Sequence, residues 1–79
     1  VWEIEFSQEA SNYALDSHPY NEAVLIAIED LAASESGLPM EGSYQLLEQW
    51  YVWEIANHTV VYELEPHALY IWVIKPGRW

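Results

Sequence analysis

The sequence predicts an α+β fold: a helical hairpin packed on one face of a four-stranded, mainly antiparallel sheet. Three patterns predict it. Apolar residues alternate over residues 1–6, recur at helical spacing over 20–31, and alternate again from Tyr44 onward. With 79 residues there is room for a single domain, spanning 1–79.

The first element is a half-buried strand. Trp2, Ile4 and Phe6 point one way, and Glu3 and Glu5 the other. Ser7 follows as an N-cap, and Ala10, Tyr13 and Ala14 form a narrow helical stripe. Pro19 ends this helix near His18. The second helix is predicted from Tyr20 to Ser36, with Ala23, Val24, Ala27, Ile28 and Leu31 on one apolar face. Gly37 stands where a left-handed cap is expected, and residues 38–43 read as a loop.

Three strand runs follow, at Trp50–Ala56, Thr59–Leu64 and Leu69–Ile74. Asn57-His58 reads as the first turn and Glu65–Ala68 as a four-residue second turn, because Pro66 cannot take a positive φ. Pairing Ala56 with Thr59 and Glu65 with Ala68 gives two independent registers. Together they place Tyr51, Trp53, Ile55, Val60, Tyr62, Leu64, Leu69, Ile71 and Val73 on one face. A one-residue slip in either hairpin would break that agreement. This face is expected to receive the helices.

Charge narrows the function. Thirteen Asp and Glu against two Lys and Arg give a formal net charge of −11. The two cations are Lys75 and Arg78. Binding to nucleic acid phosphates or to an anionic membrane surface is therefore not expected. There is no Cys, so disulfides, thiolate nucleophiles and Cys-type zinc sites are excluded. No apolar run approaches the length of a bilayer span. The N-terminal residues read as a strand and not as a signal peptide, so a cytoplasmic location is expected.

The opposite sheet face carries Val52, Glu54, Val61, Glu63, Tyr70, Trp72 and Ile74 in these registers. No helix is left to cover it. An aromatic and aliphatic patch bordered by carboxylates is the pattern of a protein interface. Glu54 and Glu63 become diagonal neighbours there, close enough to share a proton or a cation, although a solvated acidic surface is the plainer reading. His18, His58 and His67 have no metal-ligand spacing, and the glycines form no phosphate loop. No metal or cofactor is expected.

The order strand, two helices, three-stranded meander resembles the RelE/ParE superfamily, the toxin half of bacterial toxin–antitoxin pairs. The matching stretches are Trp2–Ala10, Ala27–Leu31, Tyr51–Ile55, Thr59–Glu63 and Ile71–Ile74. In the RelE branch, basic residues on the exposed sheet face grip messenger RNA and stabilise charge during cleavage. The matching positions here are Val52, Glu54 and Thr59, with Arg78 and Trp79 beyond the last strand. Of these, Arg78 alone is cationic. Phosphoryl transfer needs cations where negative charge develops, so the resemblance implies the fold without the RNA-cleaving site. The ParE branch acts on gyrase, a protein.

The expected function is thus that of a RelE/ParE-like protein acting by protein binding rather than as an enzyme. Its partner would be an antitoxin-like or other protein with Lys or Arg beside apolar anchors, or a second copy in a homodimer. One alternative is an active toxin, an mRNA endoribonuclease using Arg78 and Lys75. Another is an acidic mimic of nucleic acid that occupies a basic protein. Adaptation to high salt would explain the acidity with no partner at all.

Overall fold

A computed structural model of the chain describes residues 2–16 and 21–77. The expected helix break at His18-Pro19 lies outside these residues, as do Arg78 and Trp79. Seven elements follow in order: β1 (Glu3–Phe6), α1 (Gln8–Asp16), α2 (Glu22–Ala33), β2 (Ser43–Leu47), β3 (Trp50–Ile55), β4 (His58–Leu64) and β5 (Ala68–Pro76). The architecture is α+β, with two helices and a five-stranded mixed sheet in the order β1-β5-β4-β3-β2. β1 runs parallel to β5, and the other pairs are antiparallel.

The helices form for local reasons. The Ser7 hydroxyl accepts a hydrogen bond from the Ala10 amide at 3.1 Å, capping α1 as its position predicts. α2 is shorter than the expected Tyr20–Ser36. Ser34 ends it in extended geometry, with its amide and hydroxyl both donating to the Leu31 carbonyl. Val24, Ile28, Leu31 and Ala32 make its buried face. They pack with Trp53, Val60, Tyr62, Leu69 and Ile71, and Tyr51 and Leu64 lie partly buried against them. The helix-bearing face is the one expected from the hairpin registers.

Three details of the sheet differ from expectation. There are five strands, not four, because residues 43–47, just past the expected loop and outside the three expected strand runs, pair with β3. Tyr44 and Leu46 do alternate with Ser43 and Gln45, but the turn after them is Glu48-Gln49. Glu48 takes φ 59 without the Gly or Asn that normally signals such a turn.

The first hairpin turns at Ala56-Asn57, not at Asn57-His58, so Ile55 pairs with His58 and Trp53 with Val60. Both turn residues have positive φ, 54 and 60, as a type I′ turn requires. The pairing moves by two residues, which returns every side chain to its expected face. An alanine in the left-handed region is disfavoured by roughly 1–2 kcal/mol, whereas glycine loses about 0.5–1 kcal/mol more backbone entropy on folding. Ala56→Gly is therefore expected to raise stability by about 0.5–1 kcal/mol, measured as a higher urea midpoint at unchanged slope.

The second hairpin keeps its expected register from Leu64↔Leu69 to Tyr62↔Ile71 and then shifts. Beyond the shift Val61 pairs with Val73, not with Trp72, and Val60 with Ile74, not with Val73. Trp72 is the extra residue of a β-bulge. Past a bulge the alternation inverts. Ile74, expected on the open face, is 3% exposed and sits in the core under the helices.

Tyr62 lies at the centre of this core. Its hydroxyl donates to the Gly37 carbonyl at 2.9 Å, and its ring stacks on Tyr51 at 5.2 Å. Gly37 itself takes φ 69, but it lies three residues beyond the Ser34 cap, so it bends the loop after α2 and does not cap the helix as expected. Burial pushes the Tyr62 phenol well above its ordinary value, and Tyr51 and Tyr44 add to the rise. The folded state thus holds a proton that the unfolded chain releases near pH 10, about the ordinary value for tyrosine. Stability from this group is complete below that pH and falls as pH rises above it. Tyr62→Phe is expected to flatten the alkaline limb of a stability-versus-pH curve measured by urea unfolding.

Candidate protein-binding face

The helix-free face of the sheet can be read as cross-strand rows. One row runs Leu47, Trp50, Glu63, Tyr70 and Glu5, one residue from each strand. The next runs Gln45, Val52, Val61 and Val73. A third runs Ser43, Glu54, Thr59 and Lys75. Six of the seven expected interface residues therefore share this face: Val52, Glu54, Val61, Glu63, Tyr70 and Trp72. Ile74 does not, for the reason given by the bulge.

The bulge shapes the centre of the face. Ile71 and Ile74 are both buried against the helices, so Trp72 and Val73 between them both turn to the open side. Trp72 is 41% exposed. Its ring lies 4.7 Å from that of Tyr70, tilted by 49°. Its indole N–H donates to Glu63 Oε1 at 3.1 Å. The bulge is held from behind by Ser7, whose hydroxyl donates to the Trp72 carbonyl at 2.6 Å and whose amide donates to the Ile71 carbonyl. One serine thus caps α1 and ties β1 to the bulge.

Val52 and Val61 are nearly covered by their neighbours, which makes them a floor between more exposed groups. Trp50 belongs to this face and was not among the expected residues; Val73, expected on the helix-bearing face opposite Val60, belongs to it as well. Trp50 has the parity of Val52 and Glu54, so its place was readable from the alternation. Val73 was not readable, because it reaches this face only through the bulge.

Glu54 and Glu63 are not neighbours. Glu54 faces Thr59 and Glu63 faces Trp50, four residues apart along β4, or about 13 Å at strand spacing. The two carboxylates cannot share a proton or one small cation at that distance. Each has another contact: Glu63 with the Trp72 indole, and Glu54 with the Ser43 hydroxyl at 3.5 Å. Among the described residues no group of three or more His, Asp and Glu could hold a metal ion. Lys75 lies on the open face opposite Thr59. Arg78, its partner in the ribonuclease alternative, is outside the described residues.

His58 is engaged at both ring nitrogens. Nδ1 is 2.7 Å from the Ala56 carbonyl and Nε2 is 2.6 Å from the Tyr13 hydroxyl. A carbonyl can only accept, so in the neutral ring Nδ1 carries the proton and Nε2 accepts from Tyr13. The side chain ties α1 to the hairpin and offers no free nitrogen to a substrate. It borders a concavity of about 400 Å³ lined also by Gly42, Ser43, Glu54 and Gly77.

No helix among the described residues is long and apolar enough to cross a membrane. Comparison with protein-family models, curated proteins and solved structures found no match.

Proposed function

We propose that this chain is a RelE/ParE-like protein that acts by binding another protein through the helix-free sheet face, without cleaving RNA. The observation that carries the reading is Trp72. A tryptophan placed on a bulge, tilted against the Tyr70 ring and fixed by Glu63, stands out from the one face that no helix covers. Large aromatics at the centre of an interface carry a disproportionate share of binding energy. The order strand, two helices, antiparallel meander supports the family reading, with β2 as one strand more than that order has. Val52, Glu54 and Thr59 hold the positions where RNA cleavage in the family needs cations. The net charge of −11 repels RNA and favours a partner with Lys or Arg around an apolar anchor.

Trp72→Ala is expected to keep the fold and weaken association by about 2 kcal/mol, roughly 30-fold in Kd. Wild type and Trp72→Ala, matched by circular dichroism, would serve as paired baits for affinity capture, with sedimentation equilibrium reporting self-association. A partner retained by both variants with equal affinity would refute the role of Trp72. Cleavage of translated message that vanishes in a Lys75→Ala or Arg78→Ala variant would replace this reading with the ribonuclease.

A further inference from the structure

We propose that the outer edge of β2 is a strand-addition site for an extended, cationic segment of another protein. This goes beyond the reading built on Trp72, because it uses a different surface. A sheet has two edges, and proteins normally guard both with charge, proline, a bulge or a cover. β1 is guarded: Glu3 and Glu5 stand on it, and the adjoining Trp2 is tied to α2 through its amide to the Ala32 carbonyl and its indole to the Ser34 carbonyl. β2 has none of these devices. Ser43–Leu47 contains no charge and no proline, and pairs with β3 in an unbroken register from Ser43↔Glu54 to Leu47↔Trp50. Among the described residues its backbone bonds to nothing on the outer side.

The strand also overhangs the helices. Two helices, each about 10 Å across, cover about four strands at about 4.8 Å spacing, and this sheet has five. Every residue of β2 is exposed, and none joins the core. Tyr44 and Leu46 point to the helix side, yet they remain 43% and 55% exposed. A strand added outside β2 would bond the free amides and carbonyls and set alternate side chains against Tyr44 and Leu46.

Charge selects the occupant. Glu41 and Glu48, both exposed, bracket β2 at its two ends, and Glu54 faces its first residue. A second copy pairing antiparallel about Gln45 would bring Glu41 and Glu48 of each chain close to Glu48 and Glu41 of the other. It would also join two chains that each carry −11. A segment with apolar or β-branched residues at alternate positions and Lys or Arg at its ends meets both the edge and its charge.

The test uses end-blocked, fluorescently labelled synthetic peptides of sequence KVTITVK, EVTITVE and KVPIPVK, titrated into the protein. KVTITVK is expected to bind saturably. EVTITVE, with reversed charge, and KVPIPVK, whose two prolines remove the amide donors of alternate residues, are each expected to bind at least tenfold more weakly. Amide hydrogen exchange should slow within residues 43–47 on binding of KVTITVK. Leu46→Lys, or Gln45→Lys as a second variant, should weaken KVTITVK tenfold or more, since each guards the edge as lysines do elsewhere. Trp72→Ala should leave its affinity unchanged, which separates this site from the open face. Failure of KVTITVK to bind, equal binding of KVTITVK and EVTITVE, or no protection in residues 43–47 would overturn the proposal. So would a wild-type dimer that Leu46→Lys dissociates, because a second copy would then hold the edge.

Discussion

Trp53→Ala is expected to destabilise the protein by about 3–5 kcal/mol, the range for large aromatic truncations in cores. Trp53 is 2% exposed. Its ring meets Tyr62 edge-on, with centroids 6.3 Å apart and planes at 76°. Its indole N–H donates to the Glu41 carbonyl at 2.9 Å, which fixes the loop entering β2. Truncation therefore removes the support of the core and of the edge strand together. At about 0.05–0.15 kcal/mol per residue, a chain of 79 residues holds about 4–12 kcal/mol, of which the truncation removes about a quarter or more. Urea unfolding should show a markedly lower midpoint for the variant. Trp53→Phe, which keeps a ring and loses the N–H, should fall between the two. A loss below about 1 kcal/mol for Trp53→Ala would contradict the packing described.

Asn21 gives the second large effect. It is fully buried, and its side-chain amide donates to the Tyr13 carbonyl at 3.2 Å and the Ala14 carbonyl at 2.6 Å. Those carbonyls belong to the last turn of α1, where helical partners run out. The residue that leads into α2 thus closes the end of α1 and sets how the two helices join. Its Oδ1 atom has no partner among the described residues. Asn21→Ala removes both donors and is expected to cost about 2–3 kcal/mol, as unpaired buried carbonyls do. Asn21→Asp should cost more. An ionised carboxylate only accepts, and here it would face two carbonyl oxygens at the negative end of a helix dipole. The introduced acid would stay protonated in the fold, so its folded pKa would lie above its unfolded value. The variant should accordingly lose stability as pH rises above about 4, the ordinary range for aspartate. Urea unfolding at pH 4 and pH 7 checks this, and a loss independent of pH would argue against the environment described.

The candidate interface shows where sequence reading works and where it stops. Val52, Glu54, Val61, Glu63 and Tyr70 lie on the open face because two-residue periodicity assigns a side to every residue of a strand. The first hairpin turned one residue earlier than expected, which moved its pairing by two, and nothing changed sides. The placing of Glu54 beside Glu63 failed for the same shift. Parity fixes a face, whereas the distance between two side chains needs the true register. β2 was hidden by its length and by a Glu48-Gln49 turn that carries no glycine or asparagine.

Read alone, the sequence determined the α+β class, the two helices, the meander, the core around Trp53 and Tyr62, and the net charge. These depend on composition and on local periodicity, which a single chain displays. Only the tertiary structure decided that Ile74 turns inward while Trp72 and Val73 stand together outside. One extra residue in β5 does that, held by the hydroxyl of Ser7, 65 positions earlier in the chain. The structure alone also decided that a fifth strand extends past the reach of two helices, because a sheet's width and a helix pair's cover are compared only when both are packed.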